Sequence, residues 1–192
     1  LTHAIESYVS RKANAMTDPI ALSCIRLVSQ HLMNAWQEPD NMEARSAMAL
    51  AATQGGIAFS NSSVCLVHGM SRPLGAIFHT PHGLSNAVLL PAVTRFSVPG
   101  ATARYATISR TMGYATESDG DETAAKGLID GLQDLNVALQ IPRLRDCKGI
   151  DAEVFSRSLN KMAEDSLASG SPQNNPIIPD IPQIVRIYRE AW

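Results

Sequence analysis

Apolar residues recur at helical spacing along almost the whole chain. The segment that begins at Asp18 shows this most clearly, because its largest apolar side chains fall on one side of a helix: Leu22, Ile25, Leu32 and Met33. We predict further helices in "LTHAIESYVSRKAN", "MEARSAMALAATQGGIAFSNSSVC", "HGLSNAVLLPAVTRFSV", "ATARYATISRTMG", "DETAAKGLIDGLQDLNVALQI", "DAEVFSRSLNKMAEDSLA" and "DIPQIVRIYREAW". Alternation typical of strands is nearly absent. The pattern therefore predicts an all-α fold of about eight or nine helices.

Local signals predict where some of these helices begin and where two of them touch. Asp18 followed by Pro19 is typical of an N-cap and the first helical residue, and Asp121 is a second candidate N-cap. The pair Gly55–Gly56 inside an alanine-rich helix is unfavourable for helix propensity. It therefore predicts a close backbone contact with a neighbouring helix.

Composition is that of one ordinary globular domain. The chain has 192 residues, of which 45% are hydrophobic and 18% charged, enough to bury a core of its own. A formal net charge of −2 gives no electrostatic reason to expect binding to nucleic acid or to an anionic membrane. No apolar run approaches the length of a membrane span. We therefore expect neither nucleic acid nor a membrane among its partners.

The cysteines indicate a reducing compartment. There are three, Cys24, Cys65 and Cys147, widely spaced and without a CxxC motif. An odd number at such spacing does not predict a disulfide framework. We expect Cys24 and Cys65 to pack as small apolar side chains and the protein to be cytoplasmic.

Candidate chemistry falls on the histidines, because the chain has no βαβ unit and no GxGxxG motif. His68, His79 and His82 lie together in "VHGMSRPLGAIFHTPHGLSNAVLLP", whereas His31 lies in mid-helix and is expected to be structural. His3, His68 and His82 each lie at a helix start or a bend of small residues. Neutral imidazoles suit divalent iron, zinc, nickel or copper. Their spacing alone is no metal motif, so buried structural histidines remain an alternative.

Several motifs together resemble those of the iron-containing (group III) alcohol dehydrogenases. They are "LTHAIESYVS", "GGIAFSNSSVCLVHGM", "PLGAIFHTPHGLSNAVLLPAV" and the terminal "YREAW", and the resemblance extends over essentially all of the chain. It implies the dehydroquinate synthase-like fold, in which an N-terminal α/β domain binds NAD or NADP and a C-terminal all-helical domain holds a divalent metal. Residues 1–192 would be this second domain alone, and a start already within a helical pattern agrees with a piece of a longer protein.

The resemblance also implies a ligand set. In that family one aspartate and three histidines hold the metal, and the histidine motifs match His3, His68 and His82. The aspartate would precede His3 by four residues, outside this sequence. Fe²⁺ is expected in the full protein, with Zn²⁺ or Ni²⁺ as alternatives, and zinc is expected to tolerate the loss of the carboxylate better. The implied reaction is hydride transfer between a small alcohol and the nicotinamide, with the metal polarising the substrate oxygen.

Four further features have candidate roles. Phe59 would be a pocket wall near the nicotinamide, or else core. Arg72 stands four residues after His68, where many family members have a histidine, and we expect it to bind a carboxylate or phosphate, or to form a salt bridge across the cleft. His79 is a candidate proton-relay or supporting group. The segment 169–176, "SGSPQNNP", is predicted to be a loop near the cleft.

The implied partners are a small alcohol and its aldehyde or ketone, the protein's own nucleotide-binding domain, and further copies of itself in a homo-oligomer. The chain by itself is expected to be inactive, because it carries no glycine-rich loop to hold a nicotinamide cofactor. Two alternatives stay open. One is the corresponding half of a glycerol dehydrogenase or of a dehydroquinate synthase-like enzyme, and the other is a helical interaction domain without catalytic function.

Overall fold

The protein is built from nine α-helices and has no strand, as predicted. A computed structural model describes all 192 residues. The helices are α1 (Thr2–Val9), α2 (Asp18–Gln37), α3 (Met42–Ser62), α4 (Leu66–Phe78), α5 (His82–Ser97), α6 (Thr102–Met112), α7 (Asp121–Ala138), α8 (Ala152–Ala168) and α9 (Ile181–Glu190). Short 3₁₀ turns at Val98–Gly100, Leu144–Asp146 and Pro172–Asn174 join some of them.

Two short helices, α1 and α4, lie in the middle of the helical assembly. From Ala4 to Val9 every residue of α1 is buried, and so is every residue of α4 from Leu66 to Ser71. Around them α2 packs along α3, α6 along α7, and α5 and α8 along α4. One continuous apolar core joins these helices. The histidine positions on α1 and α4 are therefore held by packing on several sides.

The C-terminal helix α9 is hydrogen-bonded to α4. The buried hydroxyl of Tyr188 donates a hydrogen bond of 2.6 Å to the carbonyl oxygen of Met70. The ring of Phe155 on α8 meets Tyr188 edge-on, with the ring centres 6.4 Å apart, and stacks on Trp192 at 4.2 Å. The end of the chain thus helps to fix the helix that carries His68.

Two predicted helix starts were wrong by one residue. Thr17 is the N-cap of α2 and Asp18 is its first helical residue. The carboxylate of Asp18 forms a salt bridge of 2.7 Å with Arg104 instead of capping the helix. Gly120 is the N-cap of α7, with Asp121 in the first turn. There a carboxylate still interacts favourably with the helix dipole.

The glycine pair of α3 and the three cysteines differ in how far they follow the sequence-based predictions. The predicted close backbone contact is not found: a Cβ built at Gly55 would lie at an ordinary contact distance of 3.5 Å from the side-chain Sγ of Cys24, and Gly56 faces open space. All three cysteines are free and buried, as expected for Cys24 and Cys65. None of the helices combines the length and the apolar character that a membrane crossing requires.

We expect Tyr188→Phe to lower the free energy of unfolding by about 1–2 kcal/mol, because it removes a buried hydrogen bond to a main-chain carbonyl. Urea denaturation would measure the change. Tyr114→Phe, at a half-buried tyrosine, is the matched control and should change stability by less than about 0.5 kcal/mol. Equal stability of Tyr188→Phe and the original chain would contradict this role.

Candidate metal centre

Three histidines from three different helices meet at one point. His3 comes from α1, His68 from α4 and His82 from the first position of α5. One ring nitrogen of each lies within 4.8 Å of the others. The rings of His3 and His68 are 4.4 Å apart, and those of His68 and His82 are 5.2 Å apart. Such a set of imidazole nitrogens is a donor set that suits first-row divalent ions.

The carboxylate of Glu6 organises the buried member of this cluster. Glu6 and His68 are almost completely buried, with 2% and 3% of their surface exposed. One oxygen of Glu6 is hydrogen-bonded to Nδ1 of His68. The other accepts hydrogen bonds from the backbone N–H groups of Val67 at 2.6 Å and of His68 at 3.4 Å. A proton on Nδ1 leaves Nε2 of His68 with a free lone pair on the side of the cluster.

The side chain of Asn86 connects two of the histidines. Its amide NH₂ group donates to Nε2 of His68 at 3.3 Å and to Nε2 of His82 at 3.1 Å. Asn86 lies one turn after His82 on α5 and is buried, with 4% of its surface exposed. Its carbonyl oxygen Oδ1 is buried and has no hydrogen-bond partner. Both Nε2 atoms are therefore acceptors, which is the state that a metal ligand needs.

Burial and neighbouring charges disfavour the protonated forms of His3 and His82. Burial, followed by the proximity of His68, lowers the pKa of His3 to about 4. Burial also lowers the pKa of His82, with further contributions from His68 and from the positive charge of Arg72. Both effects disfavour the protonated form. His3 and His82 are consequently neutral imidazoles at neutral pH, and a neutral imidazole has one ring nitrogen with the free lone pair that a metal ligand needs.

The aromatic ring of Phe59 lies beside the cluster. It stacks on the ring of His3, with the ring centres 4.4 Å apart and an angle of 21° between the planes. Phe59 is half-buried on α3. On the same helix Gly55 faces the Cβ atom of His3, to which an added Cβ would approach within 3.8 Å. Helix α3 thus limits where the imidazole of His3 can turn.

Arg72 and His79 lie at different places relative to the cluster. Arg72 is exposed one turn after His68 on α4, near enough to His82 to lower the pKa of that histidine, and it takes part in none of the salt bridges. His79 is the exposed residue that ends α4 in a left-handed conformation, with φ of 54°. It is not one of the three clustered histidines.

The segment 169–176 packs against the turn that leads into α4. The amide of Asn174 donates to Oγ of Ser63 at 3.0 Å and to the carbonyl of Val64 at 3.1 Å. Pro172 lies so close to Gly69 that an added Cβ would come within 2.8 Å of its ring. These contacts help to set the position at which α4 begins, two residues before His68.

Glu6 and Asn86 were not predicted, although the sequence carries a signal for each. Glu6 follows His3 by three residues and Asn86 follows His82 by four, so each shares a helix face with a candidate ligand. Glu6 is also the only acidic residue in the predicted helix "LTHAIESYVSRKAN". A lone acid on the histidine face of a short apolar helix is a reasonable candidate for a hydrogen-bond partner of a metal ligand.

Comparison with known proteins agrees with this arrangement. The family model for the C-terminal part of the Fe-containing alcohol dehydrogenase family matches residues 1–192. The chain belongs to the iron-containing alcohol dehydrogenase family. It is 36% identical over 193 aligned residues to a 1,3-propanediol dehydrogenase of Citrobacter freundii and to a lactaldehyde reductase of Escherichia coli K12, covering all of this chain and 49% of each relative.

A solved structure of the same family has the same fold. A crystal structure of a 1,3-propanediol oxidoreductase superimposes with a TM-score of 0.94 and 35% identity, covering all of this chain and 49% of that one. The chain thus spans about half the length of the iron-containing alcohol dehydrogenases that it matches. This agrees with the fold and family that the sequence motifs indicated.

The lowered pKa of His3 predicts how stability depends on pH. The unfolded chain takes up a proton at His3 near the ordinary value of 6.5, whereas the folded chain does so only at about 4. The contribution of His3 to the free energy of unfolding is therefore fully present above pH 6.5, and it is lost as the pH falls from 6.5 to about 4. We expect metal-free protein to lose less stability between pH 7 and pH 4.5 after His3→Gln than before it.

Urea denaturation at the two pH values measures this difference. His31→Gln, at a half-buried histidine in mid-helix on α2, is the matched control and should retain the original dependence on pH. A His3→Gln variant with the same loss as the original chain would show that His3 is not held in its neutral form.

Proposed function

We propose that this chain is the metal-binding half of an NAD(P)-dependent alcohol dehydrogenase that interconverts a small alcohol and its aldehyde or ketone. The observation that carries the proposal is the convergence of His3, His68 and His82 within 4.8 Å, in a chain that belongs to the iron-containing alcohol dehydrogenase family. These three imidazoles would hold one divalent ion, Fe²⁺ in the full-length enzyme, with Zn²⁺ or Ni²⁺ as alternatives.

A divalent ion bound there would polarise the oxygen of an alcohol or carbonyl substrate. The protein's own residues prepare the site for it. Glu6 holds the proton of His68 on Nδ1, burial keeps His3 neutral, and Phe59 forms one wall of the site. The exposed position of His82 leaves one side of the cluster open for substrate and for the nicotinamide.

The nicotinamide would be bound mainly by a second, nucleotide-binding domain. The alignment supports this, because the chain spans about half the length of the relatives that it matches. Hydride transfer requires the nicotinamide to be held about 3–3.5 Å from the reacting carbon, so we expect no activity from residues 1–192 alone. Because relatives are named 1,3-propanediol dehydrogenase and lactaldehyde reductase, short hydroxylated substrates are the first to test.

We expect the metal-free chain to bind one divalent ion, and His68→Ala combined with His82→Ala to abolish that binding, because two of three nitrogen donors are removed. Calorimetric titration with Zn²⁺ and Ni²⁺ measures this. His31→Ala is the control for loss of a histidine elsewhere and should bind as the original chain does. Unchanged binding in the double variant would refute the site, because the ion would then be bound elsewhere, and no binding by the original chain would favour a helical interaction domain without a metal.

Arg72 supports a narrower proposal about the substrate. A guanidinium remains protonated at neutral pH and so does not act as a base. Its side chain is exposed, it forms no salt bridge within the chain, and it stands one turn from a ligand histidine. A positive charge beside a cation site is favourable only with an anion nearby. We infer that Arg72 binds a carboxylate of the substrate.

In the full-length enzyme we expect Arg72→Ala to raise KM for carboxylate-bearing alcohols or oxoacids about tenfold or more, because a charged hydrogen bond contributes about 1.5–3 kcal/mol. KM for butanol should change little. Steady-state kinetics on both substrate classes test this, with Arg95→Ala as control, since Arg95 lies in the last turn of α5 and pairs with Glu190. Equal losses on charged and neutral substrates would assign Arg72 to the cofactor or to domain packing.

A further inference from the structure

The end of the Asn86 side chain stands where a ligand of the proposed ion would stand. Its Nδ2 atom is 3.3 Å from Nε2 of His68 and 3.1 Å from Nε2 of His82. With metal–nitrogen distances of about 2.0–2.1 Å, neighbouring ligand atoms are about 3.3 Å apart in a tetrahedron and about 2.9 Å apart in an octahedron. The two observed distances fall within this range.

The present orientation of the amide is incompatible with a bound ion. The two hydrogens of the NH₂ group use the lone pairs on Nε2 of His68 and His82, and an ion would need the same two lone pairs. When an ion binds to these lone pairs, the NH₂ group has no acceptor at this point, and its hydrogens, which carry partial positive charge, face the cation. The opposite end of the amide, Oδ1, is a hard oxygen donor that is buried without a partner.

We propose that the Asn86 amide turns about its Cβ–Cγ bond when a divalent ion binds, so that Oδ1 becomes a ligand beside Nε2 of His68 and His82. The terminal torsion of asparagine is close to two-fold, so the turn requires no movement of α5. In either orientation one end of the amide lacks a hydrogen-bond partner. The presence or absence of the ion therefore determines which orientation is more stable. This inference rests on the metal site proposed above.

The test compares Asn86→Ala with Asn86→Asp, which offers a carboxylate oxygen in place of Oδ1. The probe is Co²⁺, because its affinity is measured by calorimetry and its visible absorption reports the ligand set. We expect Asn86→Ala to weaken Co²⁺ binding about tenfold or more. Asn86→Asp should retain binding and change the absorption spectrum, because a charged oxygen ligand replaces a neutral one.

Asn136→Ala is the matched control. Asn136 lies on α7 and donates a hydrogen bond of 2.9 Å to the carbonyl of Ala87, the residue after Asn86. Its loss disturbs the packing of α5 at the same place while leaving the amide of Asn86 intact. We expect this variant to bind Co²⁺ with the original affinity and spectrum. A loss of affinity equal to that of Asn86→Ala would overturn the inference, because packing alone would then explain it.

The remaining outcomes separate this inference from the proposed function. Asn86→Ala with affinity equal to or above that of the original chain, or Asn86→Asp with an unaltered Co²⁺ spectrum, overturns the role of Asn86 while the three-histidine site stands. If the original chain binds no Co²⁺, or the double variant of His68 and His82 binds it unchanged, the proposed site and the inference both fall.

Discussion

The contacts of one buried carboxylate determine the geometry of the site. Glu6 accepts hydrogen bonds from the backbone N–H groups of Val67 and His68, in the first turn of α4, and it also binds Nδ1 of His68. The first of these interactions caps a helix, a role that the side chain of the local N-cap residue, Cys65, does not perform. The second orients His68, one of the three candidate metal ligands. Because Glu6 belongs to α1, the same side chain fixes the distance between α1 and α4, and with it the distance between His3 and His68.

A buried anion is stable only when it is fully hydrogen-bonded. Here the partners of Glu6 are two N–H groups at a helix N-terminus and one imidazole, all within the interior. The helix α4 must therefore begin at the correct residue for the carboxylate to be satisfied. The contacts of Pro172 with Gly69 and of Asn174 with Val64 help to fix that start. The segment 169–176, distant in sequence from the histidines, thus contributes to the site.

Much of the fold followed from the periodicity of apolar residues, because packing against a common core requires that pattern of each helix. The helix count and the all-α class were confirmed. The starts of α2 and α7 were missed by one residue. In α2 the reason is that Asp18 forms its salt bridge with Arg104, a partner 86 positions away that no local pattern reveals, and in α7 Gly120 takes the N-cap position. The prediction that His3, His68 and His82 lie together came from the family motifs and not from their spacing in the sequence. Glu6 and Asn86 were missed because each contacts His68, which lies on a different helix from either of them.

The charges around the cluster favour an anionic oxygen as the group that completes it. The three imidazoles offer no negative charge, and the nearest buried carboxylate, that of Glu6, is separated from the cluster by the ring of His68. A divalent ion there would keep most of its positive charge, and the exposed guanidinium of Arg72 adds to the local positive potential. The interior of the protein provides no further carboxylate among the clustered groups. Negative charge must then arrive from outside the three-histidine set, and the open side at His82 is where a substrate oxygen or another ligand can supply it.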